Sequence, residues 1–445
     1  MSDLPPMLKQ GERARLFPVL ADTSREARIA AIFLVLLKRV PALAEAVLGT
    51  AGLRVGRRTQ LDAFTEIVLN DNSEIRNRPD GLIVVQTSKA SWTALVEAKI
   101  GKAQLDPEQV CRYLDAAKAN GIDAVLTISN QFVARADQSP LALPKTVLRK
   151  AGLYHWSWTF LKTQCEIISA QRKIEDETQS FLMAEFLRLL DHPNTGVERF
   201  TQMGPSWKDV VQAVSSQERL KRTSPEVEET AAAWLQELRD LSLLLSSHVG
   251  QPVRVRIERR LAADASERLK VTAKDLAETN HLTGSFIVPD GAADIDLIAD
   301  LMRRTIVLSM KLRAPQDRKS TRARVNWLLR MLKQDDPRLQ IKAQWPGRKG
   351  TTQKEVAVLR ENPDAIDPDA SATPPNSFEV MLIETDAKRF AGRRTFIETL
   401  EQCTHDFYDL VGQHLRAWQP PPPKPLASAP AADELEPQAD GKDSE

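Results

Sequence analysis

The segment 78–99 constrains this chain more than any other, because it sets ionisable residues into what otherwise reads as buried sheet. Residues 82–85 and 92–98 are two short apolar runs with a polar turn between them, the pattern of neighbouring core strands. Asp80 stands at the entrance to the first run, and Glu97 and Lys99 close the second. Side chains alternate along a strand, so Leu95, Glu97 and Lys99 are expected on one face. A carboxylate and an ammonium held together, with a second carboxylate on the adjacent strand, can bind a divalent cation and handle a water. The plain alternative is a Glu97–Lys99 surface ion pair, worth about 0–1 kcal/mol. The apolar neighbours Leu95, Val96 and Ile100 argue for a buried setting instead.

The elements around this segment follow from periodicity. Thr23 and Glu26 form a capping box before a nearly unbroken apolar helix over 24–39. Pro41 ends or kinks that helix, and a shorter helical turn runs on to Leu48. Residues 61–69 are read as a first strand on the strength of Phe64, Ile67, Val68 and Leu69. Asp106-Pro107 is an N-cap followed by proline at the first helical position, and Gly121 ends that helix. Residues 124–129 and 154–160 are expected as further strands. The predicted order is helix, three strands, helix, strand.

Pro79-Asp80 followed by Glu97-Ala98-Lys99 resembles the signature of the PD-(D/E)xK nuclease superfamily. Gln109 and Tyr113 on the next helix are similar to the Gln-x-x-x-Tyr motif of its RecB-like branch. The resemblance covers roughly residues 24–165, about a third of the chain. It implies an αβββαβ core of the restriction-endonuclease type and a metal-dependent nuclease, a hydrolase of phosphodiesters. It also implies Mg²⁺ (or Mn²⁺) held by Asp80 and Glu97, Lys99 acting on the attacking water, and Gln109 and Tyr113 beside them. A further acid often comes from the first helix in that superfamily, which points to Glu26; Glu45 and Glu66 are its rivals. Each has an ordinary reading too: Glu26 and Gln109 could close capping boxes, and Tyr113 sits on an apolar stripe.

Beyond residue 172 the texture changes. A helical connector is expected over 173–249, with apolar stripes on 181–190 and 225–246. An α+β domain over 250–418 follows, with alternating strands near 253–257, 306–312, 339–345 and 378–383 indicating an antiparallel sheet covered on one side. Helices near 318–333 and 391–416 would cover it. Residues 419–445, rich in proline and acidic residues, are expected to be disordered.

Composition enters mainly through charge. Lys and Arg number 61 against 60 Asp and Glu, so any case for nucleic acid has to be local. Residues 318–354 supply one, with eleven cations against Asp335 and Asp336. Arg322, Arg324, Arg330, Lys342, Arg348 and Lys349 are the candidate phosphate contacts. The expected partner is DNA, with RNA as the alternative. Three widely spaced cysteines show no metal-ligand spacing, and the six histidines are scattered, His155 reading as packing. The longest apolar run, 29–37, is nine residues, too short for a bilayer, so a cytoplasmic protein without membrane association is expected. Two other classes remain open on sequence: a nuclease-fold DNA-binding or adaptor protein without turnover, in stress response or phage defence, and a structural protein that forms a homodimer through helix 225–246.

Overall fold

Pro41 decides how the chain leaves its first helix: it sits at the first position of a second helix, where its missing N–H is no loss. The computed structural model describes residues 4–17, 25–70, 78–88, 90–347, 350–367 and 373–420. Thr23, half of the expected capping box, lies outside them. The N-terminal elements are β1 (Leu8–Arg13), α1 (Arg25–Arg39), α2 (Pro41–Gly49), β2 (Gln60–Leu69), β3 (Gly81–Gln86), β4 (Ser91–Ala98), α3 (Pro107–Ala119), β5 (Ala124–Ser129), β6 (Gly152–Ser157), α4 (Trp158–Ala170) and α5 (Glu177–Asp191).

The six strands form one sheet in chain order. β1 to β4 run antiparallel, whereas β4, β5 and β6 are parallel. Alternation along β4 sorts the two faces: Ala94, Val96 and Ala98 join α1, α2, α4 and α5 in one core, and Leu95 joins Val110, Tyr113 and Leu114 of α3 in the other. The sheet is therefore covered on both sides. Two expectations change. β1 adds an edge strand that no sequence pattern announces, because only Leu8 of that strand is buried. The strand expected over 154–160 stops at Ser157, whose hydroxyl caps α4 by accepting from Phe160 N at 3.0 Å.

The second half comprises α6 (Trp207–Ser215), α7 (Pro225–Val249), β7 (Arg254–Val255), α8 (Arg259–Ala263), α9 (Ala265–Thr279), β8 (His281–Ile287), β9 (Ile295–Asp300), β10 (Thr305–Arg313), α10 (Thr321–Leu329), β11 (Leu339–Gln344), β12 (Thr351–Glu355), α11 (Val356–Glu361), β13 (Ser377–Glu384), α12 (Ala387–Ala391) and α13 (Arg393–Phe407). Seven strands make a wholly antiparallel sheet in the order β12-β11-β13-β10-β9-β8-β7. Inward residues of β10 and β13 pack against α7, α10 and α13 in a single core. The architecture is mixed α/β, one mixed sheet and one antiparallel sheet with helices. Among the described residues, no helix is long and apolar enough to cross a membrane.

The helices after residue 172 divide between the two cores. Met183, Phe186 and Leu190 of α5 lie in the N-terminal one, while Trp207 of α6 and Trp234 of α7 lie in the C-terminal one. Leu243 of α7 reaches back into the first.

Candidate active site

Every backbone group around Lys99 is fixed before its side chain is considered. Its N–H donates to Ile128 O of β5 at 2.8 Å, continuing the parallel ladder one residue past β4. Its carbonyl accepts from Trp158 Nε1 at the start of α4, at 2.9 Å. The turn that follows is pinned as well, with Gly101 N donating to Gly196 O at 2.6 Å. Gly196 has φ +75°, and a Cβ there would meet Gly101 N at 2.9 Å, so only glycine fits.

Asp80 precedes β3, just beyond the last β3–β4 ladder pair, Gly81 with Val96. Its carboxylate takes over the acceptor role there: Ala98 N donates to Oδ2 at 2.8 Å. Across from it, Lys99 Nζ donates to Glu97 Oε1 at 2.6 Å. Glu97 is 2 % exposed, and its Oε2 has no hydrogen-bond partner. Glu26, from the first turn of α1, accepts from Ile100 N at 3.3 Å and lies 3.5 Å from Lys99 Nζ. Three carboxylates thus converge on one ammonium.

Burial, and then the charge of Glu97, pushes the Asp80 carboxyl up to about 7. Burial likewise raises Glu97, partly offset by Lys99. Burial works against the charged form of Lys99, but the bond to Glu97 and the surrounding carboxylates outweigh it and hold the ammonium protonated. Tyr113 is raised by burial and by Glu97, so it stays a neutral donor. Its hydroxyl donates to Arg78 O at 3.1 Å and accepts from Gln109 Nε2 at 2.9 Å. Gln109 therefore faces Tyr113 rather than closing a capping box; Asp106 caps α3 through Glu108 N instead.

A cleft of about 180 Å³ opens beside Asp80, lined by Arg78 and Pro79 and by Glu66 of β2. Glu66 adopts φ +51°, a conformation disfavoured for a side-chain-bearing residue, at the point where β2 leaves β3. Glu45 is solvent-exposed on α2. The structure thus gathers Asp80, Glu97, Lys99, Glu26, Gln109 and Tyr113, with Glu66 on the adjoining cleft. Arg78 and Trp158 are additions. Arg78 opens the organising segment but carries no motif signal, and nothing local in the sequence ties Trp158 to Lys99.

Among the described residues no group of three or more His, Cys, Asp or Glu side chains is disposed to hold a metal ion. Glu26 is turned toward Lys99 and the Ile100 N–H, which leaves Asp80 and Glu97. Two hard carboxylates, one with an orphaned buried oxygen, fit a cation such as Mg²⁺ that keeps most of its coordination sphere as water and substrate oxygen.

The basic segment is less free than its charge implies. Arg324 is 8 % exposed and donates to the carbonyls of Arg318 and Pro375 at 2.7 and 2.8 Å. Arg322 pairs with Asp364 at 3.1 Å and Lys342 with Glu379 at 3.2 Å. Arg330 is exposed at the end of α10. Arg348 and Lys349 lie outside the described residues. None of the described four contacts the Asp80 site. Comparison with models of protein families and with curated proteins finds no match for this chain.

Proposed function

We propose that this protein is a metal-dependent nuclease of the PD-(D/E)xK type, hydrolysing phosphodiester bonds, with DNA as the substrate class. The observation that carries the reading is Glu97: a buried carboxylate holding Lys99 through one oxygen, its other oxygen free, beside Asp80 at the end of adjacent strands. The element order α1/α2, β2-β3-β4, α3, β5 supports it, as do Pro79-Asp80, Glu97-Ala98-Lys99 and the Gln109–Tyr113 pair.

Asp80 and Glu97 would hold the cation. Bound there, Mg²⁺ supplies a lowered water pKa and neutralises charge on the phosphoryl oxygens. Lys99, fixed through both its N–H and its carbonyl, presents a protonated amine to the attacking water or to a phosphoryl oxygen. Gln109 orients the Tyr113 hydroxyl, which keeps the Arg78 carbonyl in place at the mouth of the cleft. Glu26 sets the Lys99 side chain from the opposite side.

Single-turnover cleavage of DNA with Mg²⁺ at saturating enzyme, paired with calorimetric metal titration, tests the assignment. Asp80→Ala and Glu97→Ala are expected to lose metal binding and cleavage together. Lys99→Ala should retain metal binding but cleave about 10²-fold more slowly or worse, the scale of removing a positioned charge. Unchanged metal affinity in both carboxylate variants would overturn the site. If wild type cleaves no nucleic acid under these conditions, the chain is a binding or adaptor protein instead.

A further inference from the structure

The carboxyl ends of β5 and β6 open onto a second cavity, of about 250 Å³, walled by the loop after β5, the start of α4 and Arg239 of α7. Arg239 is half-buried, and no carboxylate among the described residues pairs with it. Its guanidinium donates to Ser242 Oγ at 3.2 Å and lies over the Phe160 ring at 5.9 Å. Arg199 and Arg324 are matched by contrast: Arg199 has Asp240 and Glu401, and Arg324 has two carbonyls. Burial pushes the Arg239 guanidinium down to about 10, a penalty that an anion in the cavity would remove.

The other walls have the same sign. Ser157 and Phe160 line the cavity at the N-terminus of α4, a helix of 13 residues whose positive dipole end therefore faces it. Asp137 also lines it, but Arg135 holds that carboxylate bidentately at 2.6 and 2.9 Å. His155 adds no charge: burial lowers its pKa to about 4, its Nε2 meets Gln131 O at 2.9 Å, and its Nδ1 meets Thr127 Oγ1 at 2.9 Å. What remains is one guanidinium with a serine but no carboxylate partner, one helix N-terminus capped at Phe160 N by Ser157, and the rings of Phe160 and Trp156.

We propose that this cavity binds a small phosphate-bearing ligand, its oxyanion between the Arg239 guanidinium and the N-terminus of α4, with Phe160 and Trp156 beside any ring attached to it. Arginine suits a phosphate because its fork of donors matches two oxygens at once. The inference does not rest on the hydrolytic reading and is tested by binding alone.

Calorimetric titration of the full chain with inorganic phosphate and with a 5′-nucleoside monophosphate is the experiment. Saturable binding of either is expected. A nucleotide that binds more tightly identifies an organic phosphate as the ligand; equal affinity identifies phosphate itself. Arg239→Gln should weaken binding at least about 10-fold, in line with loss of a charge-assisted hydrogen-bonding group, and Arg239→Lys should fall between it and wild type. Thermal unfolding without ligand separates this from a structural role. An arginine kept for a ligand can be replaced by methionine without lowering the Tm, whereas a structural one cannot. No saturable binding of either probe, equal affinity in Arg239→Gln, or a lowered Tm in Arg239→Met would each overturn the proposal.

Discussion

His155 is neutral in the fold because burial penalises its charged form, and the bond between Nε2 and Gln131 O, which favours that form, offsets the penalty only in part. The sign of its effect on stability follows. With its pKa held near 4 against an ordinary 6.5, the unfolded chain binds more protons between those values. Stability present above about pH 6.5 is therefore lost as the pH falls toward 4, by about 2–3 kcal/mol for this one group. Arg239 and Arg135 line the same cavity and keep their charge within that window. Urea unfolding of wild type and His155→Gln at about pH 7 and about pH 4.5 is expected to show a smaller acid loss in the variant; parallel losses would place the effect elsewhere. Much of the Asp80 site was legible at this scale, because the two-residue period of a strand already puts Glu97 and Lys99 on one side. Arg324 was not, since a run of like charges carries no information on which of its members is buried against backbone carbonyls.

At the scale of elements, Gly81 sets how closely α1 can lie on the sheet. A Cβ at this position would meet Leu34 Cδ1 at 2.7 Å and Phe64 O at 2.8 Å. Leu34 can turn aside, but the β2 backbone cannot, so Gly81→Ala forces β2 and β3 apart or lifts α1. The expected loss is about 1–3 kcal/mol, typical of overpacking. Because Asp80 is the adjoining residue and Glu26 rides on α1, metal affinity should fall in the same variant. Chemical denaturation with a metal titration checks both, and an unchanged stability would show that the contact relaxes freely. The strands that build this region were readable wherever both faces are buried, as in β3, β4 and β5. β1 and β12 were not, because edge strands carry mostly polar side chains, and the ladder partner of β1 also lies far along the chain.

At the scale of the molecule, α7 belongs to both cores. Its Trp234 and Leu241 pack under the antiparallel sheet, and its Leu243 under the mixed one. The Gln236 side-chain amide grips Phe132 by N–H and carbonyl together, at 2.8 and 2.9 Å. Asp240, fully buried, binds Arg199, which also reaches Glu401 of α13. A helix so shared couples the two halves. Calorimetric unfolding is expected as one transition with matching calorimetric and van't Hoff enthalpies; two resolved transitions would refute the coupling.

That coupling limits how the chain can be divided for expression. The composition changes near residue 172, which makes it a natural place to end a shorter fragment carrying Asp80, Glu97 and Lys99. Such a fragment would lose α5, and with it the ring of Phe186 that stacks on Phe33 at 6.3 Å, together with Met183 and Leu190. It would also lose Gly196, which anchors the turn directly after Lys99. Its apolar face would be bared to solvent, and the turn after Lys99 would lose its Gly101–Gly196 anchor, although Ile128 and Trp158 would still hold the Lys99 backbone. A soluble but inactive fragment would then report on the cut and say nothing about the chemistry.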